Sequence, residues 1–240
     1  DLLGIPPHCR SLIRSSWERR QPSLYGRFDL RYDGQAPPVM LEYNADTPTS
    51  LIEASVAQWH WMEEVHPEQD QFNSIHEKLI AQWGRICRPG SGLLHFAGFA
   101  DHVEDAQTVS YLEDTAQQAG CETVAIPIEE IGWHVRHGCF VDRGLRPITQ
   151  LFKLYPWEWM MADPFGPLLV RLNIRIIEPA WKMILSNKGL LALLWERYPG
   201  HPNLLPAYFE RMPLGATYVR KPLLSREGAN VTIVTPESVS

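Results

Sequence analysis

Two stretches of alternating polar and apolar residues, joined by a turn sequence, place the strongest constraint on how this chain can fold. The alternation covers residues 27–32 and returns over residues 39–43. Between them Asp33-Gly34 is a turn dipeptide, and two prolines lead into the second stretch. Because successive side chains of a strand point to opposite faces, this pattern predicts a hairpin of half-buried strands.

The polar side chains of this hairpin fall on one face of each strand. Arg27 and Asp29 share a face of the first strand, and Glu42 and Asn44 share a face of the second. If these faces coincide, two carboxylates and an amide oxygen converge as hard ligands of the kind that Mg²⁺ takes, beside an arginine that can hold an anionic oxygen. A solvated face with cross-strand charge pairs has the same pattern, so periodicity alone leaves both interpretations open.

The rest of the chain mixes strand-like and helix-like patterns. Residues 93–99 and 122–128 are strand-like, and the helical spacing over residues 103–119 between them predicts a βαβ unit. Other predicted elements are helices at 51–65 and 188–197, a hairpin at 133–135 and 139–141, and strands at 216–223 and 231–234. Residues 151–161 fit either a strand or a helix. The expected fold class is α/β, of the mixed α+β kind.

Composition and charge narrow the classes of partner. Of the 240 residues, 45% are hydrophobic and 21% are charged, which is typical of globular proteins. The formal net charge of -6 argues against a nucleic-acid surface or a polybasic membrane contact. The longest apolar run, residues 190–195, is far shorter than the roughly 20 residues that span a bilayer. We therefore expect small-molecule partners.

Cysteine usage bears on the cellular compartment. Cys9, Cys87, Cys121 and Cys139 are scattered along the chain and form no Cys-x-x-Cys pair. This spacing predicts four reduced thiols and a cytoplasmic protein.

Several polar residues elsewhere could contact phosphate or substrate, and each also has an ordinary structural interpretation. Lys188 at the start of a predicted helix and Lys221 in a predicted strand could each bind a phosphate or be solvated. The loop of residues 225–230 contains one glycine, so its backbone amides could close over a phosphate, but many hairpin loops have this composition. Glu104 and Asp105, in the first turn of a predicted helix, favour the helix dipole without any ligand.

Motifs of several other enzyme classes are missing from the sequence. It contains no Walker P-loop, no Gly-x-Ser-x-Gly elbow, no His-Glu-x-x-His and no Gly-x-Gly-x-x-Gly. Nothing therefore favours a P-loop kinase, a serine hydrolase of that type, a zinc peptidase or a dinucleotide-binding enzyme.

Several long sequence blocks stand out along the chain. They are GRFDL at 26–30, LEYNADTPTS at 41–50, EPAWKM at 178–183, SNK at 186–188, PGHPNLL at 199–205 and KPLLSREGANV at 221–231. These blocks resemble the synthetase half of the glutathionylspermidine synthase family, in the order in which that family has them. The resemblance covers nearly the whole chain, and nothing resembles the cysteine amidase half of the bifunctional members. In this respect the chain is more similar to the stand-alone members.

The resemblance implies an ATP-grasp-like fold with a preceding pre-ATP-grasp α/β unit. Residues 1–145 would be the pre-ATP-grasp-like part, with the hairpin and the βαβ unit, and residues 146–240 part of the nucleotide-binding region. Further nucleotide contacts would follow Ser240.

The resemblance also implies roles for individual residues, with ATP and Mg²⁺ as cofactors. Arg27 would contact the phosphate of an acyl-phosphate intermediate, and residues 225–230 would be a mobile lid. The remaining implied ligands are Asp29, Glu42 and Asn44 for Mg²⁺; Lys188, Lys221, Ser225, Arg226, Gly228, Ala229 and Asn230 for ATP; Thr47, Thr49 and Ser50 for the acid substrate; and Glu104 and Asp105 for the other substrate.

The activity implied by the resemblance is ATP-dependent ligation of a carboxylate to an amine through an acyl phosphate. Glutathione with a polyamine is one candidate pair, since acidic residues near the amine site favour a cationic co-substrate. The alternative is a non-catalytic nucleotide-binding or scaffold protein that keeps the ATP-grasp shell.

Overall fold

A four-stranded sheet organises the residues that the computed structural model describes, which are 2–87, 90–210, 217–226 and 228–236. The strands in these ranges are β1 Arg27–Arg31, β2 Val39–Asn44, β3 Leu94–Gly98, β4 Thr123–Pro127, β5 Gly132–His134, β6 Cys139–Val141, β7 Gln150–Leu154, β8 Arg175–Ile177, β9 Tyr218–Arg220 and β10 Thr232–Val234. The central sheet has the order β4-β3-β7-β8, and every neighbouring pair in it is parallel. This arrangement confirms the α/β fold class.

Helices connect and cover these strands. Their bounds are α1 Cys9–Glu18, α2 Gln58–Val65, α3 Ile75–Ile86, α4 Val103–Gln118, α5 Trp157–Ala162, α6 Gly166–Leu169, α7 Lys182–Leu185 and α8 Gly189–Arg197. The parallel strands β3 and β4 are joined through α4, which confirms the predicted βαβ unit. A π-helical turn, Glu53–Ala57, leads into α2, so the predicted helix at residues 51–65 is also present. No described helix is both long enough and apolar enough to cross a membrane.

Two apolar clusters, one on each face of the sheet, form the core. Successive strand residues alternate between them: Phe96 belongs to the cluster with α3 and α4, and Ala97 to the cluster with α1 and α5. Trp83 of α3 is fully buried and makes edge-on contacts with the rings of Phe96 and Phe152. Because both faces are covered, β3 and β7 are buried along their whole length.

The predicted hairpin of β1 and β2 is present and antiparallel, but its apolar face is the exposed one. Phe28 and Leu30 are 54% and 50% exposed, whereas Arg27 and Asp29 on the other face are half-buried. The Phe28 ring stacks on its cross-strand partner Tyr43, with ring centroids 4.2 Å apart. The hairpin is therefore half-buried through its polar face, which lies against the rest of the molecule.

The other predicted pairs are also present. β5 pairs with β6 and β9 with β10, both antiparallel. The ambiguous segment 151–161 contains both structures, because β7 ends at Leu154 and α5 starts after Pro156. Four helices, α1, α3, α6 and α7, and the strand β8 were not among the predicted elements.

The division of the chain at residue 145 stays a prediction. The central sheet takes β3 and β4 from residues 1–145 and β7 and β8 from residues 146–240. One apolar cluster likewise contains residues from both parts, from Cys9 to Met183.

The prediction of four reduced cysteines was wrong for one pair. Cys87 and Cys121 form a disulfide, while Cys9 and Cys139 are free thiols. Cys87 follows α3 and Cys121 precedes β4, and their Cα atoms lie 5.5 Å apart. The 34-residue separation gave no sign of this contact, which depends on how α3 packs beside α4.

Candidate active site

The antiparallel register of the hairpin brings the four polar residues of its inner face together. Asp29 is the register partner of Glu42, and Arg27 is the partner of Asn44. The Arg27 Nε atom lies 2.9 Å from Asp29 Oδ1. With the Asn44 amide oriented to satisfy both of its ends, its oxygen accepts from Arg27 Nη2 and its nitrogen donates to Glu42 Oε1, each at 3.0 Å. The convergence expected from the alternating pattern is therefore present.

A buried ion pair fixes the backbone just before β1. Glu178 and Lys182 are about 1% exposed or less, and Lys182 Nζ lies 2.5 Å from Glu178 Oε2. Glu178 Oε1 accepts the backbone N–H groups of Leu24 and Tyr25 at 3.0 Å each, and Lys182 Nζ donates to the Tyr25 carbonyl at 2.6 Å. Burial raises the pKa of Glu178 and lowers that of Lys182. This pair holds the entry to the hairpin, two residues from Arg27.

Gly26 allows β1 to pass close to β2. A Cβ atom at this position would lie 2.6 Å from the hydroxyl oxygen of Tyr43 and 2.7 Å from its ring. Any other residue would displace the Tyr43 ring, which also stacks on Phe28. The glycine in the GRFDL block thus serves the packing of the hairpin rather than backbone flexibility.

A small pocket beside the hairpin collects residues from four distant parts of the chain. Lys188, at the start of α8, lies 3.3 Å from Glu42 Oε2 and donates to the Ser225 carbonyl at 2.8 Å. The backbone N–H of Lys188 also donates to the Leu223 carbonyl at 2.8 Å. The residues that line the pocket are Glu42, Asn44, Asp46, Thr47, Glu158, Ser186, Lys188, Leu224, Ser225 and Arg226.

Arg226 closes one side of this pocket. Its Nη1 donates to Thr47 Oγ1 at 2.5 Å and its Nη2 donates to Glu158 Oε1 at 2.8 Å. The guanidinium carbon also lies 5.4 Å from the centre of the Trp159 ring, within cation–π range. Arg226 therefore connects the loop expected to bind nucleotide with the segment expected to bind the acid substrate.

Asp46 fixes the segment that follows β2. It is 1% exposed, forms an ion pair with the fully buried Lys153 and accepts the backbone N–H of Trp157 at 2.8 Å. The Lys153 ammonium lies 4.9 Å from the centre of the Trp157 ring. The carboxylate thereby ties residues 45–50 to the end of β7 and the start of α5.

Hydrogen bonds from Arg27 and Tyr25 hold Pro48 and Thr49, in the segment after β2, against the hairpin. Arg27 Nη1 donates to the carbonyl and the hydroxyl of Thr49 at 3.1 and 2.8 Å. The Tyr25 hydroxyl donates to the Pro48 carbonyl at 2.9 Å. Burial is the largest cause that raises the pKa of Tyr25, and the nearby carboxylates of Glu178 and Asp105 raise this pKa further. The Tyr25 hydroxyl therefore keeps its proton and stays a hydrogen-bond donor. Arg27 and Tyr25 thus both contact the segment to which the sequence assigned the acid substrate.

Not every predicted residue lies at the pocket. Lys221 Nζ donates a hydrogen bond at 3.0 Å to the carbonyl of Leu41, a residue of β2. Lys221 itself is not part of the lining of the pocket. Ser50 is exposed with a φ of 61°. Three residues of the expected lid, Gly228, Ala229 and Asn230, are exposed and also lie outside the lining. Residue 227 lies outside the described residues.

The two acidic residues expected to bind the second substrate differ in their surroundings. Both lie in the first turn of α4. Glu104 is exposed, whereas Asp105 is half-buried, lies 3.5 Å from His102 Nδ1 and raises the pKa of Tyr25 by its charge. Of the two, Asp105 is therefore the one whose charge acts on Tyr25.

The sequence analysis missed three charged residues near the pocket: Asp46, Lys153 and Glu158. Asp46 could have been noticed, because it follows Asn44 by two residues and continues the polar alternation of β2. Lys153 and Glu158 belong to the segment whose secondary structure was ambiguous. Only their contacts with Asp46 and Arg226 reveal their place.

The hairpin residues form a donor set that suits Mg²⁺. Among the described residues no three His, Cys, Asp or Glu side chains are grouped as a metal site. Asp29, Glu42 and Asn44 supply two carboxylates and one amide, and Mg²⁺ is usually held by one or two carboxylates with waters and phosphate oxygens. The chemistry of the set therefore fits this ion in company with a phosphate ligand.

Sequence comparison decides the family. Residues 1–240 match the family described as "Glutathionylspermidine synthase preATP-grasp". The chain belongs to this family. It is 48% identical over 230 residues to a protein of Haemophilus influenzae named "Putative acid--amine ligase", a match that covers 92% of this chain and 58% of that protein.

More distant relatives carry the names of synthetases. "Trypanothione synthetase" of Crithidia fasciculata is 28% identical, over 97% of this chain and 40% of that protein. "Bifunctional glutathionylspermidine synthetase/amidase" of Escherichia coli is 27% identical, over 98% of this chain and 42% of that protein. The chain thus spans about half the length of the relatives it matches.

Proposed function

We propose that this chain carries the metal- and phosphate-binding part of an ATP-dependent carboxylate–amine ligase. In the proposed reaction the substrate carboxylate takes the γ-phosphoryl group of ATP, and the amine then displaces phosphate to form an amide. The observation that carries the proposal is the meeting of Lys188 with Glu42, opposite Asp29 on the hairpin. Family membership and the names of the relatives support the same class of reaction.

The charges at the site support this function because three of its cations already have a carboxylate partner, whereas Lys221 donates to the Leu41 carbonyl. Arg27 pairs with Asp29, Lys188 with Glu42 and Arg226 with Glu158. The last two pairs join segments far apart in the sequence. Binding of a nucleotide with its metal would exchange partners: phosphate oxygens for the cations, and the metal for the carboxylates of the hairpin. Such an exchange keeps these partly buried charges compensated before and after binding, which lowers the desolvation cost.

Each residue then has a defined task. Asp29, Glu42 and Asn44 would hold Mg²⁺, which when bound neutralises charge on the nucleotide phosphates. Lys188 and Lys221 would bind ATP phosphates as point charges. Arg27 would stabilise the charge that develops on the transferred phosphoryl group, and it is well placed because it also contacts Thr49.

The two substrates occupy neighbouring positions in this proposal. Thr47 and Thr49 would hold the acid, since the hydroxyl of each already accepts a hydrogen bond from an arginine of the site. Asp105, with Glu104 nearer to solvent, would favour a cationic amine such as a polyamine. Glutathione with a polyamine is therefore the candidate pair. The proposed location is the cytoplasm because ATP is supplied there, whereas the Cys87–Cys121 disulfide removes the support that four reduced thiols would have given.

A thermal-shift titration tests the nucleotide site in the protein at its natural length. ATP with Mg²⁺ at about 100 times Kd should add roughly 2.7 kcal/mol of stability, a melting shift of several degrees. The shift should need Mg²⁺ and should vanish in Asp29→Ala. The control is Asp114→Ala, which removes an exposed carboxylate of α4 outside the lining of the pocket and should keep the full shift.

Release of ADP separates the ligase from its alternative. With a matching acid and amine, the ligase releases ADP and forms a product whose mass equals the two substrates less one water. A non-catalytic nucleotide-binding protein would give the melting shift without any ADP release. If the folded wild-type protein shows no Mg²⁺-dependent shift, the nucleotide site itself is refuted.

A further inference from the structure

A second cavity lies at the N-terminal ends of β7 and β8, away from the pocket beside the hairpin. It has a volume of about 560 Å³, and its lining includes Gln150 and Arg175, the first residues of β7 and β8. The pocket beside the hairpin lies past the other end of β7, where Asp46 contacts the backbone of Trp157. The five residues of β7 separate its two ends by about 16 Å, at 3.3 Å per residue.

Four arginines from three separate segments line this cavity: Arg19 and Arg20 after α1, Arg85 of α3, and Arg175 of β8. None of the described residues in the lining is acidic. Within the described part of the chain, none of the four forms a salt bridge with a carboxylate. Beside the hairpin, Arg27, Lys188 and Arg226 are paired with carboxylates. The uncompensated positive charge of these four arginines therefore sets the cavity apart, in a chain whose net charge is -6.

Neutral groups accept hydrogen bonds from three of these arginines without cancelling their charge. Arg85 Nη1 donates to Gln82 Oε1 at 3.2 Å. Arg19 Nη1 donates to Asn173 Oδ1 at 2.9 Å. Arg175 Nη1 donates to the Ile86 carbonyl and to Gln150 Oε1, each at 3.1 Å. A guanidinium group has five N–H donors, so most of them stay available to a ligand in the cavity.

We propose that this cavity binds a small, multiply charged oxyanion, namely a phosphate- or pyrophosphate-bearing molecule. Guanidinium groups pair with phosphate oxygens in a bidentate manner, and like charges gathered in one cavity repel each other until an anion compensates them. The volume lies in the range typical of small-molecule sites. The site is separate from the nucleotide-binding residues beside the hairpin and does not depend on their assignment.

Calorimetric titration with inorganic pyrophosphate, and separately with inorganic phosphate, tests this site. Replacing two exposed arginines in Arg20→Gln/Arg85→Gln should weaken pyrophosphate binding on the order of 100-fold, about tenfold for each charge-assisted contact. The matched control is Arg14→Gln/Arg136→Gln, which removes two exposed arginines outside the cavity and should bind pyrophosphate as the wild type does. Circular dichroism checks that both double variants are folded, and Arg20→Gln alone gives a milder second test.

Comparing the two titrations also shows whether the site prefers a single phosphate group or a polyphosphate group. Pyrophosphate binding well above that of phosphate indicates a site for a polyphosphate group, and equal binding indicates a single phosphate group. Binding that is unchanged in Arg20→Gln/Arg85→Gln would place the anion elsewhere and overturn the proposal. Absence of binding to the wild type up to about 10 mM of either anion would overturn it as well.

Discussion

Asp29 and Glu42 are register partners across β1 and β2, and each carries its own cationic partner. Arg27, two residues before Asp29 on the same strand, pairs with it, whereas Lys188 reaches Glu42 from the start of α8. The ion pair between Arg27 and Asp29 is local in the sequence, and the ion pair between Lys188 and Glu42 is long-range. The pairing of Asp29 with Glu42 across the strands places these two ion pairs side by side. This relationship is the basis for expecting that changes at Arg27 affect turnover more than nucleotide binding.

Arg27→Ala should lower kcat on the order of 100-fold with little change in the Kd for ATP. The reason is that a donor aimed at developing charge stabilises the transition state more than the bound nucleotide. Steady-state kinetics and ATP titration measure the two quantities. Arg31→Ala, at an exposed arginine of the same strand, is the control and should leave both unchanged. Equal losses of kcat and ATP affinity in Arg27→Ala would contradict the assignment.

Asp105→Asn should raise the KM for the amine substrate about tenfold, the loss of one charge-assisted contact. Glu104→Gln should have a smaller effect, because Glu104 is exposed and Asp105 is half-buried toward Tyr25. The measurement is the rate of ADP release against amine concentration at saturating acid and ATP. Asp114→Asn, on the same helix, serves as the control. An amine KM that stays at the wild-type value in both variants would remove this pair from the site.

Asp46→Asn should destabilise the protein by about 3–5 kcal/mol, because it leaves the buried ammonium of Lys153 without its counter-charge. Adding Lys153→Met should recover part of that loss, since the unpaired charge is then gone. Urea denaturation of the wild type, both single variants and the double variant gives the coupling free energy. Losses that simply add in the double variant would show that the two side chains are not coupled.

Stability at low pH should depend on Asp142. Burial by itself raises the pKa of this carboxyl, but hydrogen bonds from the backbone and guanidinium of Arg146 and from His95 outweigh burial and lower the pKa to about 2. The ionised form is therefore favoured in the folded protein, and its contribution is present above about pH 4 and lost as the pH falls toward 2.

The measurement is the free energy of unfolding of the wild type and of Asp142→Asn between pH 5 and pH 2. The wild type should be the more stable at pH 5, and the difference should shrink as the pH approaches 2. Other carboxyl groups titrate in both proteins, so the difference isolates Asp142. A difference that stays constant over this range would refute the expected pKa.

Local periodicity was enough to predict much of the architecture. The alternation at residues 27–32 and 39–43 predicted the hairpin, and the pattern over residues 93–128 predicted the βαβ unit. These predictions succeeded because strand and helix periods are properties of neighbouring residues. The same periodicity implied that the polar residues of β1 and β2 share a face, which the register confirms.

Periodicity could not indicate which face of the hairpin lies against the rest of the molecule. Phe28 and Leu30 are exposed because the polar face packs toward Lys188 and the segment after β2. An apolar face is normally expected to be the buried one. One of these partners, Lys188, lies more than a hundred residues away along the chain.

The sequence by itself determined the secondary structure around the hairpin, the βαβ unit and, through its long blocks, the family. Only the tertiary structure decided that Lys188 meets Glu42, that Lys153 is buried against Asp46 and that Cys87 pairs with Cys121. The physical reason is that hydrogen-bond periodicity acts between near neighbours. The partner of a buried charge or a thiol is instead set by how whole helices and strands pack together, and no local pattern records that packing.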